Sequence, residues 1–286
     1  MEEGTVTENK VHVIPYDEFD FKKLRIDPLK KSKVSIGFVN YEYPDGVEAP
    51  LICQFPPLVS GFGLSYYEQE DKYTFTYDLF DPEGQQFAKT YAEKFDTPLL
   101  QVACGPKRRE WFPKTPNSES GKQMILSQFA SCIDRRNEAV NRFKAKVNHK
   151  KLLEGDGSTR VDWDVGGWFL KVDPESQKIV SQQKVRPTAF RRAFQKGVYC
   201  NTHRMTSLYI GGKGWGISWA VVDISRILDI PVPDPPKLKF GGGDIPTTIA
   251  PGAKIEEGYA DVDENAPMGT EGDGMGNRYE MGDEGV

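Results

Sequence analysis

Apolar and polar residues alternate with a period of two along much of the chain. Residues 34–40 show this pattern, and residues 73–79 put four large apolar side chains on one face, with two threonines and an aspartate opposite. Because successive side chains of a strand point to opposite faces of a sheet, both segments are predicted to be half-buried strands. Shorter apolar runs at 51–55 and 58–66, separated by two prolines, are predicted to complete an antiparallel meander.

The second half of the chain returns to the same pattern. A strand is predicted at 163–172, where a pair of glycines indicates a bulge or turn, and residues 179–185 are predicted to pair with it. Residues 205–210 and 215–222 flank a glycine-rich turn, which is typical of a closing hairpin.

Two helical insertions are predicted between the strands, around 81–95 and 118–150. The first begins with an Asp-Pro pair, typical of a helix start, and repeats an aromatic residue every four positions at Phe87, Tyr91 and Phe95. The second begins with a serine cap and continues as an apolar stripe. Its basic second half is predicted to be a loop or a solvated helix end.

These elements predict a mainly β protein with inserted helices. An OB-like Greek-key barrel explains them, and a β-sandwich is the alternative. The predicted organisation is an N-terminal arm (1–16), an OB-like nucleic-acid-binding domain (17–230), a proline-rich linker (231–240) and an acidic tail (241–286). The tail is predicted to be disordered, because it has too few apolar residues to offset the entropy of ordering.

The charge is divided unequally between the tail and the rest of the chain. The tail has eleven acidic residues against two basic ones, a net charge of −9. The remaining 240 residues therefore have 31 acidic and 35 basic residues, a net charge of +4, although the whole chain has −5. The body of the protein is thus predicted to attract anionic partners.

Composition excludes several classes of protein. An apolar run of about 18 residues, which a membrane-spanning helix needs, is absent from the sequence. The acidic N-terminus shows no signal-peptide pattern, so an intracellular protein is expected. Four cysteines without C-x-x-C spacing and three scattered histidines encode neither a zinc ribbon nor a disulfide framework. No metal or cofactor is predicted.

Catalytic motifs are also absent. The glycine-rich segment 211–216 lacks the order of a phosphate loop and leads into a predicted strand. The sequence contains no G-x-S-x-G, H-E-x-x-H or D-F-G motif, and Asp162 and Asp164 are explained equally well by a solvated strand edge. A protein that is not an enzyme is predicted.

One span of the chain has no acidic residue. Between Glu175 and Asp223 lie 47 residues with eight lysines and arginines, interleaved with aromatic residues. Cations neutralise phosphates and aromatic rings stack on bases, so this combination is typical of single-stranded nucleic-acid binding. A second basic and aromatic run lies at 107–114. The predicted binding residues are Lys107, Arg108, Arg109, Lys184, Arg186, Phe190, Arg191, Arg192, Phe194, Lys196, Tyr199, Arg204 and Lys213.

The aromatic residues divide into two predicted groups. Trp215, Ile217 and Trp219 share one strand face and are predicted to be core residues. Phe190, Phe194 and Tyr199 lie in a segment of poor periodicity and are the predicted stacking residues. The basic stretch 135–151 fits either a further binding region or a solvated helix face.

Several segments resemble the single-stranded DNA-binding proteins of nucleocytoplasmic large DNA viruses, of the African swine fever virus type. These are the opening 20–25, the alternating strands at 34–40 and 73–79, and the closing strand at 214–219. The resemblance covers roughly residues 17–230. It implies an OB-fold core, sequence-tolerant binding to single-stranded DNA in viral replication, recombination or genome protection, and packaging in virions. It also implies a location in the host nucleus or a cytoplasmic viral factory.

An acidic tail after an OB body is similar to the arrangement in bacterial and phage single-strand binders. There, the tail recruits replication enzymes and competes with DNA. This tail ends in Asp-Glu-Gly-Val without the terminal aromatic residue of those proteins, and a purely solubilising role is the alternative. The predicted partners are single-stranded DNA, with RNA as an alternative, replication proteins through the tail, and further copies of the chain. The rival hypothesis is a virion structural protein whose β-sandwich makes protein contacts.

Overall fold

A computed structural model describes residues 12–31, 33–135, 140–173, 175–176, 178–212, 214–228 and 230–233. All of them belong to one unit of the chain, residues 1–238. Residues 1–11 of the predicted arm, Lys213, most of the predicted linker and the whole predicted tail lie outside the described residues.

The described residues form strands β1 to β17 in chain order. The first eight are β1 (Ile14–Pro15), β2 (Leu24–Ile26), β3 (Ser35–Glu42), β4 (Glu48–Pro50), β5 (Ile52–Gln54), β6 (Leu58–Ser60), β7 (Leu64–Tyr67) and β8 (Lys72–Leu79). The others are β9 (Ile133–Asp134), β10 (Asn141–Val147), β11 (His149–Leu153), β12 (Thr159–Trp163), β13 (Gly166–Val172), β14 (Ile179–Lys184), β15 (Gly197–Tyr199), β16 (Thr202–Gly211) and β17 (Gly214–Ile227).

The described residues form fewer helices than strands. They are α1 (Pro82–Tyr91), α2 (Thr97–Cys104), α3 (Arg108–Trp111), α4 (Glu119–Ser127) and α5 (Phe190–Ala193). A π-helical turn, Ala92–Asp96, joins α1 to α2, and 3₁₀ turns lie at Tyr16–Glu18, Phe21–Lys23, Glu68–Glu70 and Pro187–Ala189.

Fifteen of these strands form one large mixed sheet. Its main order is β1-β5-β16-β17-β10-β8-β7, with the other strands attached along this path. The pairs β1–β5, β10–β17 and β13–β17 are parallel, and the other pairs are antiparallel. Strands β11 and β12 form a separate two-stranded ribbon. The prediction of a mainly β protein is confirmed.

The long strands β16 and β17 organise the sheet. They form the predicted closing hairpin, with Gly211 opposite Gly214. One half of β16 pairs with β5 and the other with β3, while β17 pairs with β10 in its middle and with β13 and β15 near its end. Register shifts interrupt the β16–β17 pairing at two places. Such irregularities bend strands, so two strands can serve both halves of the sheet.

Aromatic rings fill the interior on one side of this sheet. Trp219 lies at its centre, with ring centroids 5.6 Å from Phe55 and 5.5 Å from Phe95, and its indole nitrogen donates to Tyr91 Oη at 2.9 Å. Trp215, Ile217 and Trp219 are all buried, which confirms the predicted core face of the last strand.

The predicted helix starts are confirmed. The Asp81 carboxylate accepts a hydrogen bond from the Gly84 backbone N–H at 3.0 Å and caps α1, and the Ser118 hydroxyl caps α4 in the same way from Gly121. The first helical segment extends further than predicted, because the π-helical turn continues it into α2.

Two predicted boundaries are wrong. The insertion predicted to be helical at 118–150 is a helix only to Ser127, and β9, β10 and the start of β11 follow. In β10, Phe143, Ala145 and Val147 are buried and alternate with polar residues, which is a strand period. At the other boundary, the end of the predicted arm enters the sheet, because β1 pairs in parallel with β5.

Asp96 introduces a pH dependence. This carboxylate is 9% exposed and accepts a hydrogen bond from Ser131 Oγ at 2.6 Å. Burial raises the pKa of Asp96 to about 6, because the charged form loses its hydration. The folded protein therefore favours the protonated form of Asp96. Its contribution to the free energy of unfolding is fully present below about pH 4 and is lost as the pH rises through 6.

We expect Asp96→Asn to stabilise the protein at neutral pH by about 3 kcal/mol, since a two-unit rise in pKa corresponds to that penalty for ionisation. The measurement is the free energy of unfolding in urea between pH 4 and pH 8, compared with the unmutated protein. The difference between the two should be smallest at pH 4 and grow toward pH 7. A difference that does not change with pH would contradict this assignment.

Candidate nucleic-acid interface

The three residues predicted to stack on bases are buried in the core. Phe190, Phe194 and Tyr199 are each 2% exposed or less. Phe190 packs against Trp163 and Phe194, and the Tyr199 ring packs against Phe75 at 4.7 Å between centroids. The prediction of a stacking surface at these residues is therefore wrong. Phe190 lies in the four-residue helix α5, Phe194 follows it directly, and Tyr199 lies in the three-residue strand β15. Elements this short show no clear period.

The basic run 107–114 contains both buried and exposed predicted residues. Arg108 is 4% exposed and donates to Asn117 Oδ1 and to the carbonyls of Pro116 and Ser118, so it holds the connection between α3 and α4. Its predicted role in contacting phosphates is contradicted by this burial. Lys107 is exposed but forms an ion pair with Glu110 at 2.9 Å. Arg109 is exposed.

The other predicted cations lie at the surface but beside different parts of the sheet. Lys184, Arg186, Arg191, Arg192 and Lys196 are exposed, and Arg204 is half-buried. Lys184 lies 5.8 Å from the centre of the Trp168 ring, whereas Arg204 lines a small cavity with Phe38. Lys213 lies outside the described residues. The acid-free span therefore does not form one continuous site.

A row of cations on β10 provides a more compact surface. Arg142, Lys144 and Lys146 occupy alternate positions and point away from the aromatic interior. They lie opposite Asp78, Thr76 and Thr74 of β8 in the antiparallel register. We call this side of the sheet the outer face.

A groove of about 580 Å³ lies on the outer face beside this row. Lys72, Lys144 and Lys146 line one side, and Ile36 and Tyr209 line the other. Small hydroxyl residues lie between the two sides, namely Thr74, Ser207 and Ser218. The pairing of β16 with β3 and β17 places these residues in register across the sheet. We call this cavity the outer groove.

Three lysines and one acidic residue, Asp134, line the outer groove, so positive charge exceeds negative charge there. Partial burial lowers the pKa of the Lys72 ammonium, and the nearby charges of Lys144 and Lys146 lower it further. Lys72 forms an ion pair with Glu70. Within the described part of the chain, Lys144 and Lys146 form no ion pair. Their charges are therefore available to a ligand.

Three aromatic side chains are exposed in the described part of the chain, and each has a cation near its ring. Phe38 is 51% exposed, Phe62 is 61% and Tyr67 is 42%. The cation distances to the ring centres are 5.4 Å for Lys30 over Phe38, 5.7 Å for Arg142 over Phe62 and 4.0 Å for Lys144 over Tyr67. Strand registers place Phe38 and Tyr67 on the outer face, and Phe62 lies beside Arg142.

The β10 row ends at a second, smaller cavity. This cavity, of about 220 Å³, is lined by Phe62, Arg142, Lys196, Val232 and Pro233, among others. The Arg142 side chain forms an ion pair with Asp78 at 2.8 Å here. Lys196, one of the predicted cations, therefore lines the same cavity as Arg142 of the β10 row. The structure also places the last described residues of the chain beside this row.

The sequence contained a signal for this surface that the predictions did not use. Arg142, Lys144 and Lys146 belong to the basic stretch 135–151, which fits either a further binding region or a solvated helix face. Their alternation with Phe143, Ala145 and Val147 has the period of a strand and would have placed three cations on one face. The predicted binding residues do not include Lys72, Phe38, Phe62 or Tyr67. For the three aromatic residues the reason is that exposure of a ring depends on strand pairing, which the sequence pattern does not show.

Other chemistry is limited among the described residues. His203, the one histidine of the acid-free span, is fully buried, and burial lowers its pKa to about 3. It therefore contributes no positive charge to a surface. The described residues contain no cluster of three or more side chains that could hold a metal ion. None of the helices they form is long and apolar enough to cross a membrane.

Comparisons with known proteins do not assign the chain. No protein-family model matches it, and no curated protein shows significant similarity to it. Fold and surface together define a mainly β protein with a cationic outer face and exposed aromatic residues.

Proposed function

We propose that the protein binds single-stranded DNA on its outer face, without strong sequence preference and without catalysing a reaction. The observation that supports this most directly is the set of three exposed aromatic rings, each beside a cation. A cation beside an exposed aromatic ring is the pairing that a stacked base and its phosphate require.

The strand periods of the outer face suit a single strand. Lysines two positions apart on β10 lie about 7 Å from each other, which is close to the spacing of successive phosphates along an extended single strand. Each base stacked on an aromatic ring contributes about 1–3 kcal/mol, and every base offers such a face. Sequence tolerance follows from this mode of binding. RNA also has phosphates and bases that stack. A preference for DNA is therefore measured by titrating DNA and RNA oligomers side by side.

The finer architecture and the setting are part of the same proposal. The bent sheet, whose two long strands serve both halves, supports an OB-like barrel. The resemblance to viral single-strand binders supports a role in viral replication, recombination or genome protection. It also supports a location in the host nucleus, a viral factory or the virion.

We also propose that the acidic tail competes for the outer face or recruits replication proteins. The last described residues, Val232 and Pro233, line the smaller cavity beside Arg142 and Lys196. The tail of net charge −9 therefore follows in sequence from the end of the cationic row. A tethered polyanion has an effective concentration of about millimolar, so a weak attraction is sufficient for competition.

A structural protein of the virion is the second candidate, and one observation favours it. Strand β14 lies at an edge of the sheet with all six residues exposed, including Ile179 and Val180 at 56% and 65%. Exposed aliphatic edge strands pair readily with other chains. Such a protein would show little binding to oligonucleotides, whereas the first proposal requires binding that weakens steeply with salt.

Reversing two charges tests the position of the interface. The double variant Lys144→Glu and Lys146→Glu should weaken binding to every sequence alike and reduce the slope of log K against log salt by about one to two units. Fluorescence titration with dT and rU oligomers measures both quantities. The matched control is Arg191→Glu with Arg192→Glu, an equal change of charge in the acid-free span. A larger effect of the control would place the phosphate contacts in that span.

Two substitutions test stacking. Phe62→Ala and Tyr67→Ala should each cost about 1–3 kcal/mol of binding to a dT oligomer, with little change in the free energy of unfolding, because both rings are exposed. Trp219→Ala is the control for a core aromatic and should lose about 3–5 kcal/mol of stability. Normal affinity in both exposed-ring variants would remove stacking on these rings from the proposal.

Removal of the tail tests competition. A chain that ends at Lys239 should bind a dT oligomer more tightly than the full chain at low salt. The gain should shrink as the Debye length falls from about 30 Å at 0.01 M to about 8 Å at 0.15 M. Equal affinities at both salt concentrations would contradict competition and leave the recruiting and solubilising roles.

A further inference from the structure

The floor of the outer groove contains an unpaired hydroxyl group. Thr74 is 2% exposed, lines the groove, and its Oγ1 has no hydrogen-bond partner among the described residues. Leaving a buried hydroxyl unpaired costs free energy, because the group has lost its hydrogen bonds to water. Valine has the same shape and an equal or higher preference for strands, so packing alone does not explain a threonine here.

Two lysines flank this hydroxyl. Lys146 lies directly opposite Thr74 in the β8–β10 register, and Lys72 lies two residues earlier on the same face of β8. All three residues line the outer groove. Burial lowers the pKa of Lys72, and the charges of Lys144 and Lys146 lower it further. The three ammonium groups therefore repel one another. A bound anion would relieve this repulsion and accept the hydrogen bond that Thr74 offers.

We propose that Thr74, Lys72 and Lys146 form a phosphate-binding site on the floor of the outer groove. The Thr74 hydroxyl donates a hydrogen bond to a non-bridging phosphate oxygen, and the two ammonium groups neutralise its charge. This site rests on the proposed function, in which the phosphate belongs to the backbone of a single strand. The site fixes one phosphate of the strand beside the rings of Tyr67 and Tyr209.

A phosphate fits this site better than the edge of a base. Lys72 and Lys146 line the same groove as Thr74. Their ammonium groups supply positive charge and donors, which a phosphate oxygen accepts without needing a donor of its own. A phosphodiester of DNA and a free phosphate share this chemistry. The experiment therefore includes both ligands.

The test is Thr74→Val, with Thr76→Val as the matched control. Thr76 lies two pairs further along the same strands, on the same face and opposite Lys144. Thr74→Val should reduce affinity for a dT oligomer about 10-fold, which is the range for a hydrogen bond to a charged group. The slope of log K against log salt should not change, because no charge is lost. The melting temperature should be equal or higher, and Thr76→Val should bind within twofold of the unmutated protein.

Three other outcomes would reject the proposed site or change its ligand. Equal affinity of Thr74→Val and the unmutated protein would reject the site while the binding function stands. A loss of affinity together with a lower melting temperature, shared by Thr76→Val, would assign Thr74 a structural role and also reject it. If the unmutated protein does not bind oligonucleotides, the proposed function fails. Inorganic phosphate is then titrated alone, and the site survives as a free-phosphate site only if phosphate raises the melting temperature of the unmutated protein and not of Thr74→Val.

Discussion

Strand β10 imposes the constraint on which the outer face depends. It lies between β8 and β17, and Phe143, Ala145 and Val147 fill the aromatic interior from this position. The pleat of a strand then turns the residues between them, which are cations, to the opposite side. A slip of one residue would bury the cations and expose Phe143, so the packing of the core fixes where the charges lie.

The same principle separates the aromatic residues by function. Phe190, Phe194 and Tyr199 lie in or beside the short elements α5 and β15, and their buried rings complete the core. Phe38, Phe62 and Tyr67 are no more polar, yet strand register or a loop position leaves them at the surface. The hydrophobic effect favours burial of any aromatic ring, so what differs between the two groups is whether other elements pack over them. In the proposed function, the exposed rings stack on bases.

Local pairing of acidic residues shapes the charge that remains. Asp78 of β8 pairs with Arg142 of β10, and Glu70 of the preceding 3₁₀ turn pairs with Lys72. Lys144 and Lys146, between these pairs, retain their charge for a partner. The unpaired Thr74 hydroxyl lies under the same lysines, so the groove combines free positive charge with an unused hydrogen-bond donor. Both features have a cost in the free protein that an oxyanion would offset.

The sequence by itself determined the elements and their faces. Period-two alternation identified β3, β8 and the β16–β17 hairpin, local capping residues identified the starts of α1 and α4, and Trp215 and Trp219 were correctly placed in the core. These signals are local, because they depend on residues a few positions apart. Only the tertiary structure decided which strands are neighbours. The parallel pairing of β10 with β17 joins distant segments, and it brings Lys146 opposite Ala220, into the groove that Ser218 also lines. The stacking residues were predicted wrongly for this reason, since exposure of an aromatic ring is set by the elements that pack over it and not by its neighbours in sequence.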